Sequence, residues 1–270
     1  MYIKNTKKEY LEYGIVTALS VLIFLVIMSM FTGKGLSDAN VYNTYALQAE
    51  AWRQGRLDLG QDYPWLELAI YNGKYYSSFP PFPSYVLFPL TFLWGSNTPD
   101  IILIWVMNLV SCIFLYKMAV KLNLSPKSAM LETIFVMLGS NFVFVMIDPS
   151  VWFMAQNMSF ALCVLALYCA VSGKGAGALF FWACSVGCRP MQAVFLPVLL
   201  ILLYRHVKRQ EPGAAWHQMI LRRLPWAVPA GAVAISYMIL NYLRFGNIFE
   251  FGHNYLPEFV RAEYGQFHIH

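Results

Sequence analysis

Asp38, Asp148, Arg189 and Arg244 are ionisable residues at or near the edges of long apolar segments. A charge near the middle of a membrane span costs roughly 2.5–3.5 kcal/mol, so charges kept along such segments mark places where substrates or ions are handled. Asp38 ends the stretch Gly33-Lys34-Gly35-Leu36-Ser37-Asp38, just beyond the apolar run 13–31. As the N-cap of a following helix it would satisfy free amides and meet the positive end of the helix dipole. A carboxylate fixed in that way can also take a proton from an attacking hydroxyl, which is general-base catalysis. Arg189 interrupts the apolar stretch 176–204. A guanidinium there either snorkels from a helix end or grips a phosphate through paired hydrogen bonds. Arg244, after the last apolar run, offers the same phosphate chemistry, or is an interfacial charge. Asp148 precedes Pro149 and serves as a turn residue or as a substrate-positioning group. Glu67 and Lys74 are either solvated charges or substrate-positioning groups. His253, His268 and His270 show no metal-ligand spacing, so no divalent metal and no cofactor is assigned. The chain has no nucleotide-cradling glycine loop, serine elbow or zinc-protease helix.

Composition says what must position these residues. Of 270 residues, 59% are hydrophobic and only 12% charged, against about 25% charged in a soluble domain. This predicts an all-α integral membrane protein, and no nucleic-acid partner is expected from the net charge of +5. Apolar runs at 13–31, 101–120, 128–147, 151–171 and 224–242 are each close to the length of a span. Arg189-Pro190 divides 176–204 into two short helices, 176–188 and 190–204, folded back on each other. The proline-studded segment 80–95 is read as re-entrant or interfacial. That makes about seven spans. With this count, twelve of the 19 Lys and Arg residues fall on the side of the N-terminus, in 1–12, around 117–127, at Lys174 and in a basic loop, 205–223. The positive-inside rule then makes the N-terminus cytoplasmic. The loop 32–100, Asp148, Arg189 and the segment 243–270 become external. The five cysteines lie in apolar segments, and Cys184 and Cys188, at i,i+4, are read as small packing residues.

A loop as long as 32–100 is expected to carry structure of its own. Residues 39–54 are good helix formers, with Ser37 or Asp38 as cap and Gly55 as stop. Val41, Tyr45, Ala49 and Trp52 recur at helical spacing, which predicts an amphipathic helix lying on the membrane surface. Asn72-Gly73, between Ile70-Tyr71 and Lys74-Tyr75-Tyr76, is a tight-turn signal.

Several short motifs occur in a suggestive order. Ser37-Asp38 is followed by Tyr42, Ala46 and Ala49, then Gly55-Arg56-Leu57-Asp58-Leu59, the run from Glu67 to Tyr76, and Phe79-Pro80-Pro81-Phe82-Pro83-Ser84. Asp148-Pro149-Ser150, Gly187-Cys188-Arg189-Pro190, Arg244-Phe245-Gly246-Asn247 and Phe251-Gly252-His253-Asn254-Tyr255 come later. From about residue 13 onward the chain resembles the bacterial GT-C membrane glycosyltransferases, relatives of protein O-mannosyltransferases and of lipid A aminoarabinose transferase. The resemblance implies a plasma-membrane enzyme. It would move a sugar from a polyprenyl-phosphate donor to a lipid, glycan or protein acceptor on the external face. It implies that Asp38 activates the acceptor, that Arg189, and with it Arg244, binds the lipid phosphate, and that Asp148, Glu67 and Lys74 position substrate. Some relatives carry a second acidic residue beside the first. Here the neighbours are Ser37 and Ala39, which disfavours a metal-dependent version. Members of the family continue for several further spans, so the resemblance also implies that 243–270 is incomplete and the chain a truncated member. Two other readings stay open: a non-catalytic or truncated lipid-carrier-binding membrane protein, and a secondary transporter. The transporter reading is disfavoured because no internal repeat is visible.

Overall fold

The computed structural model describes residues 6–261. Within them the chain is mostly helical, with one small hairpin. Helix α1 runs Lys7–Thr32, α2 Thr44–Arg53, α3 Phe82–Trp94, α4 Asp100–Lys121, α5 Pro126–Leu138 and α6 Phe142–Ile147. Helices α7 (Val151–Val171), α8 (Gly175–Val186), α9 (Leu196–Gln210), α10 (Trp216–Arg223), α11 (Val228–Phe245) and α12 (Pro257–Arg261) follow. Strands β1 (Leu68–Tyr71) and β2 (Lys74–Ser77) pair antiparallel, Leu68 opposite Ser77. Asn72 and Gly73 both have positive φ, as the tightest two-residue hairpin turn requires. His268 and His270 lie outside the described residues.

Five helical stretches among the described residues are long and apolar enough to cross a membrane: Lys7–Thr32, Asp100–Lys121, Val151–Val171, Pro190–Gln210 and Trp216–Phe245. The first begins six residues ahead of its apolar run. Thr6 accepts the Glu9 amide, and Glu9 reaches back to the Thr6 amide, so the two close a capping box that starts the helix among charged residues. Gly33, at φ +65°, ends it.

The run 128–147 is not one helix. It breaks at Gly139–Asn141 into α5 and α6. The carbonyls freed at the end of α6 are taken up by two buried amides. Asn108 on α4 donates to the Met146 carbonyl at 3.0 Å. Asn157 on α7 donates to Asn108 Oδ1 at 2.7 Å and to the Val145 carbonyl at 3.3 Å. Irregular backbone at membrane depth persists only with such partners. The stretch 176–204 does turn back at Arg189-Pro190. Helix α8 stops at Val186, a 3-10 turn spans Pro190–Phe195, and the Trp182 indole donates to the Gln192 carbonyl at 3.0 Å across the fold.

Two expected elements come out differently. The region 205–223 is not a loop: α9 continues to Gln210 and α10 begins at Trp216. Its cationic side chains suit a helix C-terminus. The 39–54 helix begins only at Thr44, because Asp38 closes a turn with Gly35 instead of capping. Nor does its apolar face look outward. Tyr45 and Ala49 are buried in the main core with Phe79, Leu87, Met154 and Cys188, while Val41 is exposed and lies outside the helix. Helix α3 and the α7 end cover the face expected to meet lipid.

Helix α7 is the hub, packed on α4 and α8. Ala155, Ala161, Ala166 and Ala170 are buried along it, and small side chains let helix backbones approach closely. Cys184 and Cys188 are fully buried in the core, which agrees with a packing role. The bundle has two chemically distinct ends. At one, the chain between α1 and α4 meets the start of α7 and the ends of α8 and α11. The Asn40 amide donates to Asp100, the Val151 amide to the Tyr42 carbonyl, and Arg244 to the Ser77 carbonyl. At the other, the Tyr116 hydroxyl donates to the Tyr10 carbonyl at 2.7 Å, and Gly173 lies against the His206 ring.

Candidate active site

The first end carries the sequence-predicted site residues. Asp38 lies on the exposed turn after α1, and its carboxylate accepts the Gly35 amide at 2.6 Å. A buried carboxylate from α4 anchors that segment at Asn40. Asp100, at the first position of α4 and 1% exposed, accepts the Asn40 amide at 3.3 Å through Oδ2, while its Oδ1 has no hydrogen-bond partner. Nothing in the sequence marked Asp100, because it reads as an ordinary helix-start residue.

Asp148 ends α6 and accepts both the amide and the hydroxyl of Ser150, so it holds the turn into α7. Lys34, from the Asp38 turn, lies 3.9 Å from the same carboxylate. Both partners are partly exposed, so this pair orders the loop only weakly. It nevertheless brings the turn before Asp38 beside Asp148.

Arg189 stands in extended backbone between α8 and the following turn. Its Nη2 donates to the Trp152 carbonyl at 2.5 Å, while its Nε is buried without a partner. Tyr45 lies within electrostatic reach, and its buried hydroxyl also lacks a partner. Burial pushes the Tyr45 pKa far above the ordinary tyrosine value. The turn that carries Arg189 is tied to the long loop: the Phe82 amide, just after Pro80-Pro81, donates to the Gly187 carbonyl at 2.9 Å. Gly187 has no room for a side chain, since a Cβ there would meet the Tyr237 hydroxyl at 2.0 Å.

His253 closes the site from the far end of the chain. It is half-buried and within electrostatic reach of Glu67, Glu250, Glu258 and Arg189. Burial holds its pKa below the ordinary histidine value, and the Arg189 charge acts in the same direction against the pull of the three glutamates. Glu67 is therefore near His253, with its backbone carbonyl fixed by the Ser78 hydroxyl at 3.0 Å.

Two predicted residues at this end are engaged with the hairpin. Lys74 is exposed on the hairpin, 3.5 Å from Asp58. Arg244 is 3% exposed and serves as a bracket: it donates to the Ser77 carbonyl at 3.2 Å and to Asn241 at 3.0 Å, with its guanidinium over the Phe245 ring. That arrangement joins α11 to the hairpin. Among the described residues no group of three or more His, Cys, Asp or Glu side chains forms a metal site.

This geometry provides an exposed carboxylate and, at the same end of the bundle, a half-buried guanidinium with one donor unassigned. Such a pair can accept a proton and hold an oxyanion. Comparison with protein-family models, with curated proteins and with solved structures gives no match for the chain.

Proposed function

We propose that the chain is a membrane glycosyltransferase that moves a sugar from a polyprenyl-phosphate donor to an acceptor hydroxyl on the external face. The observation that carries this reading is that the Asp38 turn, Asp148, Arg189, Glu67 and His253 all gather at one end of the bundle. The basic positions Lys121, Lys174, Lys208 and Arg223 gather at the other. Five long apolar helices, the pair α5–α6 and the short α8 make seven crossings, and the positive-inside rule puts the basic end in the cytoplasm.

In the proposed reaction Asp38 takes the proton of the acceptor hydroxyl, and the acceptor oxygen forms a bond to the anomeric carbon. The bond from that carbon to the phosphate oxygen breaks, and the leaving phosphate takes the electron pair. Its charge meets the guanidinium of Arg189, whose donors beyond the one given to the Trp152 carbonyl stabilise the developing negative charge. Arg244 is held by the Ser77 carbonyl and Asn241, although its Nε, like that of Arg189, has no partner, so in this reading it brackets the hairpin beside the site while Arg189 meets the phosphate. The test is transfer from a labelled polyprenyl-phosphate sugar in proteoliposomes. Asp38→Asn is expected to abolish transfer while the protein inserts normally; near wild-type turnover in the purified variant overturns the assignment.

A second reading, a lipid-carrier-binding protein without transferase activity, is favoured by one observation. Asp38 is exposed, and its carboxylate already accepts an amide of its own turn. The same assay separates the two, since a binding protein retains the donor lipid and transfers nothing.

A further inference from the structure

The end of the bundle away from the candidate active site holds a second built feature. Helices α8, α9 and α10 and the 3-10 turn Leu224–Ala227 leave an open apolar cavity of about 350 Å³ between them, with Leu203, Met219 and Trp226 in its wall. A second apolar cavity, of about 430 Å³, continues it along α11 towards Trp182 and Tyr237. The two share Leu179, Leu200 and Ala227, so they form one groove. From Ala227 to Tyr237 it follows about 15 Å of helix, at 1.5 Å per residue. At its basic end Tyr204 lines both this groove and a third cavity of about 350 Å³, whose other walls are Arg205, Lys208 and Arg209. The apolar groove and this open, three-cation patch of α9 thus meet at Tyr204. The nearby carboxylate, Glu211, is engaged by Arg222 and Arg223 and is held below the usual carboxylate range chiefly by its hydrogen bond to Arg223.

We propose that this groove binds one anionic phospholipid of the membrane, with an acyl chain between α8 and α11 and the headgroup phosphate on Arg205, Lys208 and Arg209. Charge complementarity selects the occupant: a zwitterionic headgroup brings its own cation into the pocket, an anionic one does not. Clustered Lys and Arg side chains at the cytoplasmic end of a membrane helix attract anionic headgroups for this reason, and here all three lie on α9. The proposal is independent of the transferase reading and needs only that the bundle sits in a membrane.

The test uses the full chain in mild detergent, titrated with phosphatidylglycerol or phosphatidylcholine carrying the same brominated acyl chains. Quenching of tryptophan fluorescence reports the chain beside Trp226 and Trp182. Phosphatidylglycerol is expected to bind more tightly than phosphatidylcholine. Its affinity should fall about thirty-fold in the Arg205→Ala/Arg209→Ala variant, the loss expected for two basic side chains near an anionic surface. Both arginines are exposed, so the double variant should keep the fold. Trp226→Phe should lower the quenching amplitude. Gly231→Leu should block the groove, and a Cβ at Gly231 itself meets nothing within 4 Å. Equal affinity for the two lipids, or an unchanged affinity in the double arginine variant, overturns the proposal. So does quenching that ignores Trp226→Phe, displacement of the lipid by soluble glycerol phosphate, or concentration-dependent self-association that Gly231→Leu abolishes.

Discussion

Arg189 keeps one nitrogen on the Trp152 carbonyl and leaves Nε without a partner, so part of its hydrogen-bonding capacity is uncommitted inside the protein. A buried donor without a partner costs about 1–3 kcal/mol, a penalty that an incoming oxyanion would relieve. Arg189→Ala is therefore expected to raise KM for the lipid-linked donor at least tenfold, with Arg189→Lys recovering part of the loss because it restores charge but not the planar fork. Donor titration in the proteoliposome assay reads this directly, and an unchanged KM would remove Arg189 from the site. His253 gives a pH signature. Its pKa is held low by burial, so its contribution to stability is fully present above the unfolded value of about 6.5 and is lost as the pH falls through the folded one. The melting temperature should drop on acidification below about pH 6.5, and His253→Gln should flatten that part of the profile.

Among the elements, the broken pair α5–α6 depends on side chains from two other helices. Asn157→Leu would leave the Val145 carbonyl and Asn108 Oδ1 without their donor, at a cost of about 1–2 kcal/mol by the scale of interhelical hydrogen bonds in membranes. A thermal melt in detergent measures it, and a variant as stable as wild type would show that the break is held by packing alone. The long apolar helices and the Arg189-Pro190 reversal were legible because apolar length and proline are local signals. Asn72-Gly73 was legible for the same reason. The Asn108–Asn157 bridge was not, since two asparagines 49 residues apart carry no mark of their meeting. The start of α2 was misplaced because Asp38 had two local partners to choose between, and the Gly35 amide won over a helix N-terminus. Of the site, Asp148 and the Asp38 turn could be brought together in outline from topology, while the inward burial of Arg244 and the anchoring role of Asp100 depend on tertiary packing.

For the whole molecule, the separation of charge between the two ends is the property to test. Single cysteines introduced at Ser37 and at Lys121, both exposed, should react with a membrane-impermeant maleimide from opposite sides of sealed vesicles. Labelling of both from one side would refute the proposed orientation. The native cysteines Cys112, Cys169, Cys184 and Cys188 are buried and should add little background. The brevity of α8 has a further consequence for the membrane itself. Twelve residues rise about 18 Å, well short of a hydrocarbon layer about 30 Å thick. At one end Lys174 is exposed and can stretch to the surface. At the other, Arg189 is fastened to Trp152 and cannot follow. On the seven-crossing reading the mismatch is met by the lipid, which thins into a dimple over Arg189. A phosphate at the floor of that dimple would reach the guanidinium while its chain stayed in oil, and the depth of the site would then vary with the thickness of the bilayer around it.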